Sequence, residues 1–175
     1  MLSAGAKSRR TVVVVLLTGA ALAGAALLLA DRNSSAPEVT VTTLAGKSIT
    51  PKELRGKVVL VNFWATTCEV CARELPQIVA TYKIYASRGF EVIAVAMPYD
   101  RPDWVVDYAR RQELPFTVAL DFEGTINRAF GGVEATPTGF LIDKQGRILQ
   151  RIVGEPDFAR LRETIERELA RGVRG

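Results

Sequence analysis

The chain of 175 residues contains no histidine and only two cysteines, Cys68 and Cys71. Without an imidazole, the sequence lacks both the usual base of a cysteine protease and the imidazole ligand of a copper carrier. Two cysteines also fall short of the four nitrogen or sulfur ligands of a structural zinc site. These absences leave the two thiols themselves as the candidates for chemistry.

The positive charge of the chain is concentrated at its N-terminus. The net charge is +4, and Lys7, Arg9 and Arg10 supply +3 within a first stretch of thirty residues that has no acidic side chain. The remaining residues therefore carry only +1. A basic surface for nucleic acid is not expected, and we predict no nucleic-acid partner.

An uncharged run of 20 residues, 11–30, follows the basic residues. A helix of that length rises about 30 Å, the thickness of a bilayer's hydrocarbon core. The preceding positive charges predict a cytoplasmic N-terminus at residues 1–10 and an uncleaved transmembrane signal anchor at 11–30. Residues 31–37 then form a polar linker to an extracytoplasmic domain, 38–175. The alternative is a cleaved secretory signal, for which Ala21-Leu22-Ala23 and Ser34-Ser35-Ala36 are candidate sites.

Two apolar runs in the remaining chain predict buried strands. They are VVLVNFW at residues 58–64 and FEVIAVAM at residues 90–97, both rich in β-branched side chains. Between them, residues 69–88 carry apolar side chains at helical spacing. A strand, helix and strand in this order predict a parallel pair of strands.

The other segments extend this unit to an α/β fold with a mixed central sheet and helices on both faces. Residues 102–112 predict a helix with Trp104, Val105 and Tyr108 facing inward. The remaining predicted elements are an N-terminal β-hairpin extension (38–50), a helical turn (51–55), a short strand (116–120), a short helix (124–130), a hairpin (138–153) and an amphipathic helix (156–171).

Cys68 and Cys71 lie where the first buried strand passes into the long helix. Unpaired N–H groups and the positive end of the helix dipole stabilise a thiolate at such a position. The thiolate is the species that attacks disulfides. The spacing therefore predicts Cys68 as nucleophile and Cys71, one turn further, as the thiol that resolves a mixed disulfide.

A purely structural disulfide is the plainer interpretation of the same pair. A bridge that closes so short a loop removes little entropy from the unfolded chain, so it stabilises a fold poorly. Thiol–disulfide exchange is therefore favoured.

Three stretches, VNFWATTCEVCARELP, FEVIAVAM and ATPTGFLIDKQGRI, resemble the membrane-anchored thioredoxin-like oxidoreductases of the TlpA/ResA group, with a domain of the AhpC/TSA-Redoxin type. The resemblance covers residues 39–170. It implies a thioredoxin-like fold and a redox-active Cys68–Cys71 disulfide with no other cofactor. It also implies a disulfide-containing protein substrate, with apocytochrome c as a candidate, and re-reduction by a transmembrane thiol electron donor. The expected location is the periplasmic side of a bacterial cytoplasmic membrane.

The resemblance also implies roles for particular residues. Glu74 is expected to lie near the thiols and handle their protons, as a buried carboxylate with a raised pKa would. Asn62 occupies the place of the buried aspartate of ordinary thioredoxins, which leaves Glu74 as the local base. The Thr136–Pro137 peptide bond is expected to be cis and to lie against the cysteines, with the preceding backbone free to pair with an extended substrate.

The expected substrate-facing residues are Trp64, Thr67, Glu69, Val70, Thr136 and Pro137. For Trp64 the sequence favours core packing. Thr67 replaces a tryptophan and Val70 a proline of many relatives. Because Glu69 and Val70 offer no cation to a thiolate, a reductase is favoured. The alternatives are a dithiol oxidase and, in another class, a non-catalytic metallochaperone or peptide-binding module.

Overall fold

The structure is a computed structural model that describes residues 35–172. The predicted cytoplasmic N-terminus, the predicted transmembrane anchor and most of the predicted linker lie outside the described residues. Among residues 35–172, no helix combines the length and the apolar character needed to cross a bilayer.

The described chain begins with the predicted hairpin and helical turn. Strand β1 (Val41–Thr42) pairs antiparallel with β2 (Ser48–Ile49), so the strands are shorter than predicted. Helix α1 (Pro51–Leu54) follows. The N-terminal extension is therefore confirmed.

A five-stranded mixed sheet forms the centre of the domain. Its strands are β3 (Val58–Trp64), β4 (Phe90–Ala96), β5 (Thr117–Leu120), β6 (Thr138–Ile142) and β7 (Ile148–Val153). They lie in the order β5-β4-β3-β6-β7. β3, β4 and β5 are mutually parallel, whereas β6 is antiparallel to both β3 and β7. The predicted parallel pair and mixed sheet are thus confirmed.

Helices cover both faces of this sheet. They are α2 (Glu69–Tyr85), α3 (Pro102–Arg111), α4 (Thr125–Ala129) and α5 (Phe158–Ala170). On one face, Leu60 of β3 belongs to a core with residues of α2, α3 and α5. On the other, Phe63 packs with Ile126 of α4. Since both faces are covered, all seven residues of β3 are buried, which explains its unbroken apolar run.

The helix predicted over residues 69–88 has two parts. α2 ends at Tyr85 and a 3₁₀ turn, Ala86–Arg88, completes the segment. Gly89 then takes a left-handed conformation with φ of 95°, which glycine adopts at little steric cost. This turn directs the chain into β4.

Trp104 does not face inward as predicted. Val105 is fully buried and Tyr108 is half-buried, but Trp104 is 45% exposed. Adjacent helical residues point about 100° apart, and because Val105 points directly into the core, Trp104 lies at the edge of the buried face. The Trp104 ring instead lies 4.8 Å from the guanidinium carbon of Arg101, a cation–π arrangement at the surface.

One edge of the sheet gathers several loops. The parallel strands β3 and β4 both end there, and β6 begins there because Thr138 pairs with Phe63. β7 ends at the same edge, since Val153 pairs with Thr138. Both cysteines and the Thr136–Pro137 segment therefore meet at this edge.

Candidate active site

The two cysteines form a disulfide at the N-terminus of α2, with their Cα atoms 5.2 Å apart. Cys68 is the N-cap residue, and its Sγ atom accepts a hydrogen bond from the backbone N–H of Cys71 at 3.1 Å. Cys68 is half-buried, whereas Cys71 is completely buried. An incoming partner can therefore reach only the Cys68 sulfur, which is the asymmetry that a nucleophile and a resolving thiol require.

The Thr136–Pro137 peptide bond is cis, as predicted. The carbonyl oxygen of Thr136 lies 3.6 Å from the Cys68 Sγ atom, which confirms that this segment contacts the disulfide. Pro137 is buried, and its carbonyl oxygen accepts a hydrogen bond of 2.8 Å from the N–H of Gly154. Thr136 makes no backbone–backbone hydrogen bond within residues 35–172, so its main chain is available to a partner.

Glu74 lies one helical turn beyond Cys71, on the same face of α2. Its side chain is buried, with only 3% of the residue exposed, and its Oε2 atom has no hydrogen-bond partner within residues 35–172. Burial, and to a smaller extent the negative charge of Glu155, together raise the pKa of the Glu74 carboxyl from 4.5 to about 8. Glu74 is therefore buried as expected, and its part in proton transfer remains a prediction.

Asn62 lies on the face of β3 that also carries Leu60 and Trp64, toward the core that includes Cys71. It is 1% exposed, and within residues 35–172 neither of its amide atoms has a hydrogen-bond partner. Asn62 pairs with Gly139 of β6. The neutral amide adds no charge to the surroundings of Glu74.

Trp64 is not substrate-facing. It is fully buried, and its ring lies 5.2 Å from that of Tyr108. Its position at the end of β3, beneath α2 and α3, places it in the core. The core-packing interpretation is confirmed, and Trp64 is removed from the set of predicted substrate contacts.

The other predicted contacts lie at the surface around the disulfide. Thr67 and Glu69 are exposed on either side of Cys68, and Val70 is half-buried between the two cysteines. Their positions allow contact with a partner that approaches the Cys68 sulfur. Their roles remain predictions.

A polar clamp at this edge was not predicted from the sequence. The carboxylate of Asp100 accepts hydrogen bonds of 2.6 Å from both the backbone N–H and the hydroxyl of Thr66. It also accepts one of 2.9 Å from the N–H of Arg101. The clamp joins the loop after β4 to the loop that carries the cysteines. The parallel pairing of β3 and β4 was the signal that could have revealed it, because parallel neighbours end at one edge.

The arrangement supports dithiol chemistry. A sulfur at a helix N-terminus is exposed to attack, and a second sulfur lies behind it, next to an acid whose pKa is close to that of a thiol. Together with the cis-proline segment and the sheet order, this places the chain in the class of thioredoxin-like thiol-disulfide oxidoreductases.

Comparison with known proteins agrees and is more specific. The chain belongs to the Redoxin family, whose model matches residues 31–165. The thiol-disulfide oxidoreductase ResA of Bacillus thuringiensis subsp. konkukian is 39% identical over 133 residues, which cover 75% of each chain. ResA of Bacillus subtilis is 33% identical over 121 residues, 69% of this chain and 66% of that one. The predicted resemblance to the ResA group is confirmed.

Solved structures give the same result for the fold. A thiol:disulfide interchange protein of the thioredoxin family from Chlorobium tepidum superposes with a TM-score of 0.72 at 32% identity, over 79% of this chain and 98% of that one. StoA from Bacillus subtilis gives a TM-score of 0.62 at 25% identity, over 73% and 97% respectively. The thioredoxin-like fold is therefore established.

Proposed function

We propose that the protein reduces disulfides in other proteins on the outer side of the cytoplasmic membrane. The proposal that the protein reduces disulfides, and does not form them, rests on the charge next to the nucleophile. Glu69 is exposed directly after Cys68, and Val70 completes a dipeptide without a cation. A thiolate beside a carboxylate is stabilised less than one beside a histidine or lysine. Weak stabilisation of the reduced form makes a dithiol a better reductant.

The reaction proceeds in two exchanges. The Cys68 thiolate attacks one sulfur of the substrate disulfide, the substrate S–S bond breaks, and the other substrate sulfur leaves as a thiolate. The Cys71 thiolate then attacks Cys68, and the second substrate sulfur leaves. Two electrons have passed to the substrate, and the chain is left with the disulfide seen in the structure.

Glu74 is proposed to accept the proton of Cys71 as that thiol attacks. A carboxyl pKa of about 8 lies near the ordinary thiol pKa of about 8.5. The proton can therefore move in either direction with little free-energy cost. When a donor reduces the disulfide, Glu74 returns the proton to the departing Cys71 sulfur.

The substrate is proposed to bind as an extended segment against Thr136. The unpaired backbone of that residue supports such pairing, because it lies beside the Cys68 sulfur. Oxidised apocytochrome c is the candidate substrate that the family suggests. The electrons are proposed to come from a transmembrane thiol donor, and the cysteine pair is proposed to be the only redox group.

The reduction potential of the full chain tests whether the protein acts as a reductase or as an oxidase. The detergent-solubilised protein is equilibrated in thiol/disulfide buffers, and the fraction of free thiol is measured by alkylation and gel shift. We expect a value near thioredoxin's, about −270 mV. A value near that of DsbA, about −120 mV, would contradict the reductase and favour the oxidase.

We also propose that residues 11–30 anchor the protein in the membrane and that residues 38–175 lie on the periplasmic side. The 20-residue uncharged run after three basic residues supports this. The full chain should sediment with membranes at alkaline pH, and a version without residues 11–30 should not. Protease added to spheroplasts should digest the domain. A soluble mature protein that begins after residue 23 or 36 would show cleavage instead.

A further inference from the structure

Tyr99 is an exposed aromatic residue beside the disulfide that the proposed mechanism does not use. It follows β4, and 63% of it is exposed. Its hydroxyl oxygen lies 3.5 Å from Oγ1 of Thr136, the residue whose carbonyl oxygen lies 3.6 Å from Cys68 Sγ. Tyr99 is therefore in contact with the segment against which a substrate would bind.

The strand order places the Tyr99 ring across the site. β3 lies between β4 and β6. A side chain that starts after β4 and reaches Thr136, just before β6, must pass over the end of β3, where Cys68 follows. Thr67, the residue before Cys68, is exposed but small. Tyr99 therefore supplies the large apolar surface on this side of the nucleophile.

The backbone that carries Tyr99 is held firmly. Its neighbour Asp100 is 9% exposed and forms the clamp to Thr66 described above. The N–H of Asp100 also donates a hydrogen bond of 2.9 Å to the carbonyl oxygen of Met97. A tyrosine has only two side-chain torsions to fix, so a pre-positioned ring binds a partner at a low entropic cost.

A second exposed apolar side chain lies on the other side of the Thr136–Pro137 segment. Val153, at the end of β7, is 62% exposed and pairs with Thr138. The unpaired backbone of Thr136 thus runs between Tyr99 and Val153. In an extended peptide, side chains alternate between opposite sides, so apolar residues next to the reacting cysteine would contact these two surfaces.

We propose that Tyr99 is a specificity-determining residue that binds apolar or aromatic side chains flanking the target cysteine in an extended polypeptide. The inference rests on the proposed function and names the feature of the substrate that is selected. It follows that the protein favours disulfides in polypeptides over small disulfides without apolar groups. Tyr99 contributes to substrate binding rather than to electron transfer.

The test compares two substrates and three variants of the full chain in detergent, reduced beforehand. Insulin is the polypeptide substrate, and bis(2-hydroxyethyl) disulfide is the small one. Tyr99→Ala should lower kcat/KM for insulin about tenfold, mainly through KM, and lower the ratio of insulin to small-disulfide activity by a similar factor. Tyr99→Phe should stay within about twofold of wild type, because the ring supplies the contact and the hydroxyl contact is long.

Phe122→Ala is the matched control. Phe122 is also 63% exposed, but it follows β5, two strands from β3, and lines a different concavity with Thr42 and Leu44. Its replacement should leave both activities unchanged. If Tyr99→Ala loses insulin reduction and small-disulfide reduction equally, or loses no activity with insulin, the inference about Tyr99 is overturned but the proposed function is not. A wild-type protein that reduces neither substrate would overturn the proposed function, and the inference with it.

Discussion

The Cys68→Ala variant is expected to lose reduction of protein disulfides by about 1,000-fold or more. Cys68 is half-buried and Cys71 is completely buried, so no other thiol of the chain can begin the exchange. The change should be tolerated by the fold, since a disulfide in so short a loop stabilises little. Insulin reduction by the pre-reduced full chain measures the loss, and circular dichroism checks the fold.

The Cys71→Ala variant should fail differently. It keeps the nucleophile and should form a mixed disulfide at the normal rate, but it cannot resolve this intermediate. A complex should therefore accumulate on a non-reducing gel and disappear on reduction. Because the chain has only two cysteines, the trapped bond can involve only Cys68. The double variant is the control and should trap nothing. Full turnover by either single variant would contradict the two-thiol mechanism.

The elements that hold the cysteines could be predicted because their patterns are strong. β3 and β4 are buried on both faces, and such strands give unbroken apolar runs. The helix between them is long and periodic, and the cysteines mark its start. Gly89 marks the end of the helical segment before β4, and the polar loop at residues 144–147 separates β6 from β7. Local sequence therefore determines the unit that carries the dithiol.

The errors arose where neighbours in space decide the outcome. Trp104 is apolar and helical, but the helix turns it toward Arg101 rather than the core. Thr66 and Asp100 are 34 residues apart, and their contact depends on the parallel pairing of β3 with β4. Tyr99 reaches the site for the same reason. Polar and aromatic loop residues have no periodicity that would reveal such partners.

Predicting the pKa of Glu74 requires both the local sequence pattern and the contacts that only the fold provides. Helical spacing from Cys71 predicts which face the carboxyl occupies, and so its place near the thiol. Its degree of burial depends on the packing of α2 against β3, and Glu155 follows the end of β7 at the same edge of the sheet. The sequence predicts the direction of the shift, and the fold is needed to identify both causes.

The Glu74→Gln variant should change how stability depends on pH. The pKa of this carboxyl is about 8 in the folded protein, against 4.5 for an unperturbed one. Between these values the folded state holds a proton that the unfolded state has released, so rising pH favours unfolding. The oxidised wild-type protein should lose several kcal/mol of unfolding free energy relative to the variant as the pH rises from about 4 to 9, at about 1.4 kcal/mol per pH unit between the two pKa values. Urea unfolding at several pH values measures this difference.

The same variant should slow the exchange reaction itself. Glutamine cannot take the Cys71 proton, so resolution of the mixed disulfide should slow about 100-fold at pH 7. In the wild type, the rate of resolution should depend on pH with a pKa near 8, and this pH dependence should vanish in the variant. Glu163→Gln, an exposed acid on α5, is the control and should match wild type.

Glu155→Gln separates the two causes of the raised pKa. It removes the negative charge that adds to the effect of burial, so the transition in rate should move to lower pH without disappearing. Loss of the transition in Glu74→Gln and its displacement in Glu155→Gln would together identify Glu74 as the titrating group. An unchanged pH profile in Glu74→Gln would instead make it a buried acid without a part in proton transfer. The resolving thiol would then have to lose its proton directly to solvent, although Cys71 is completely buried.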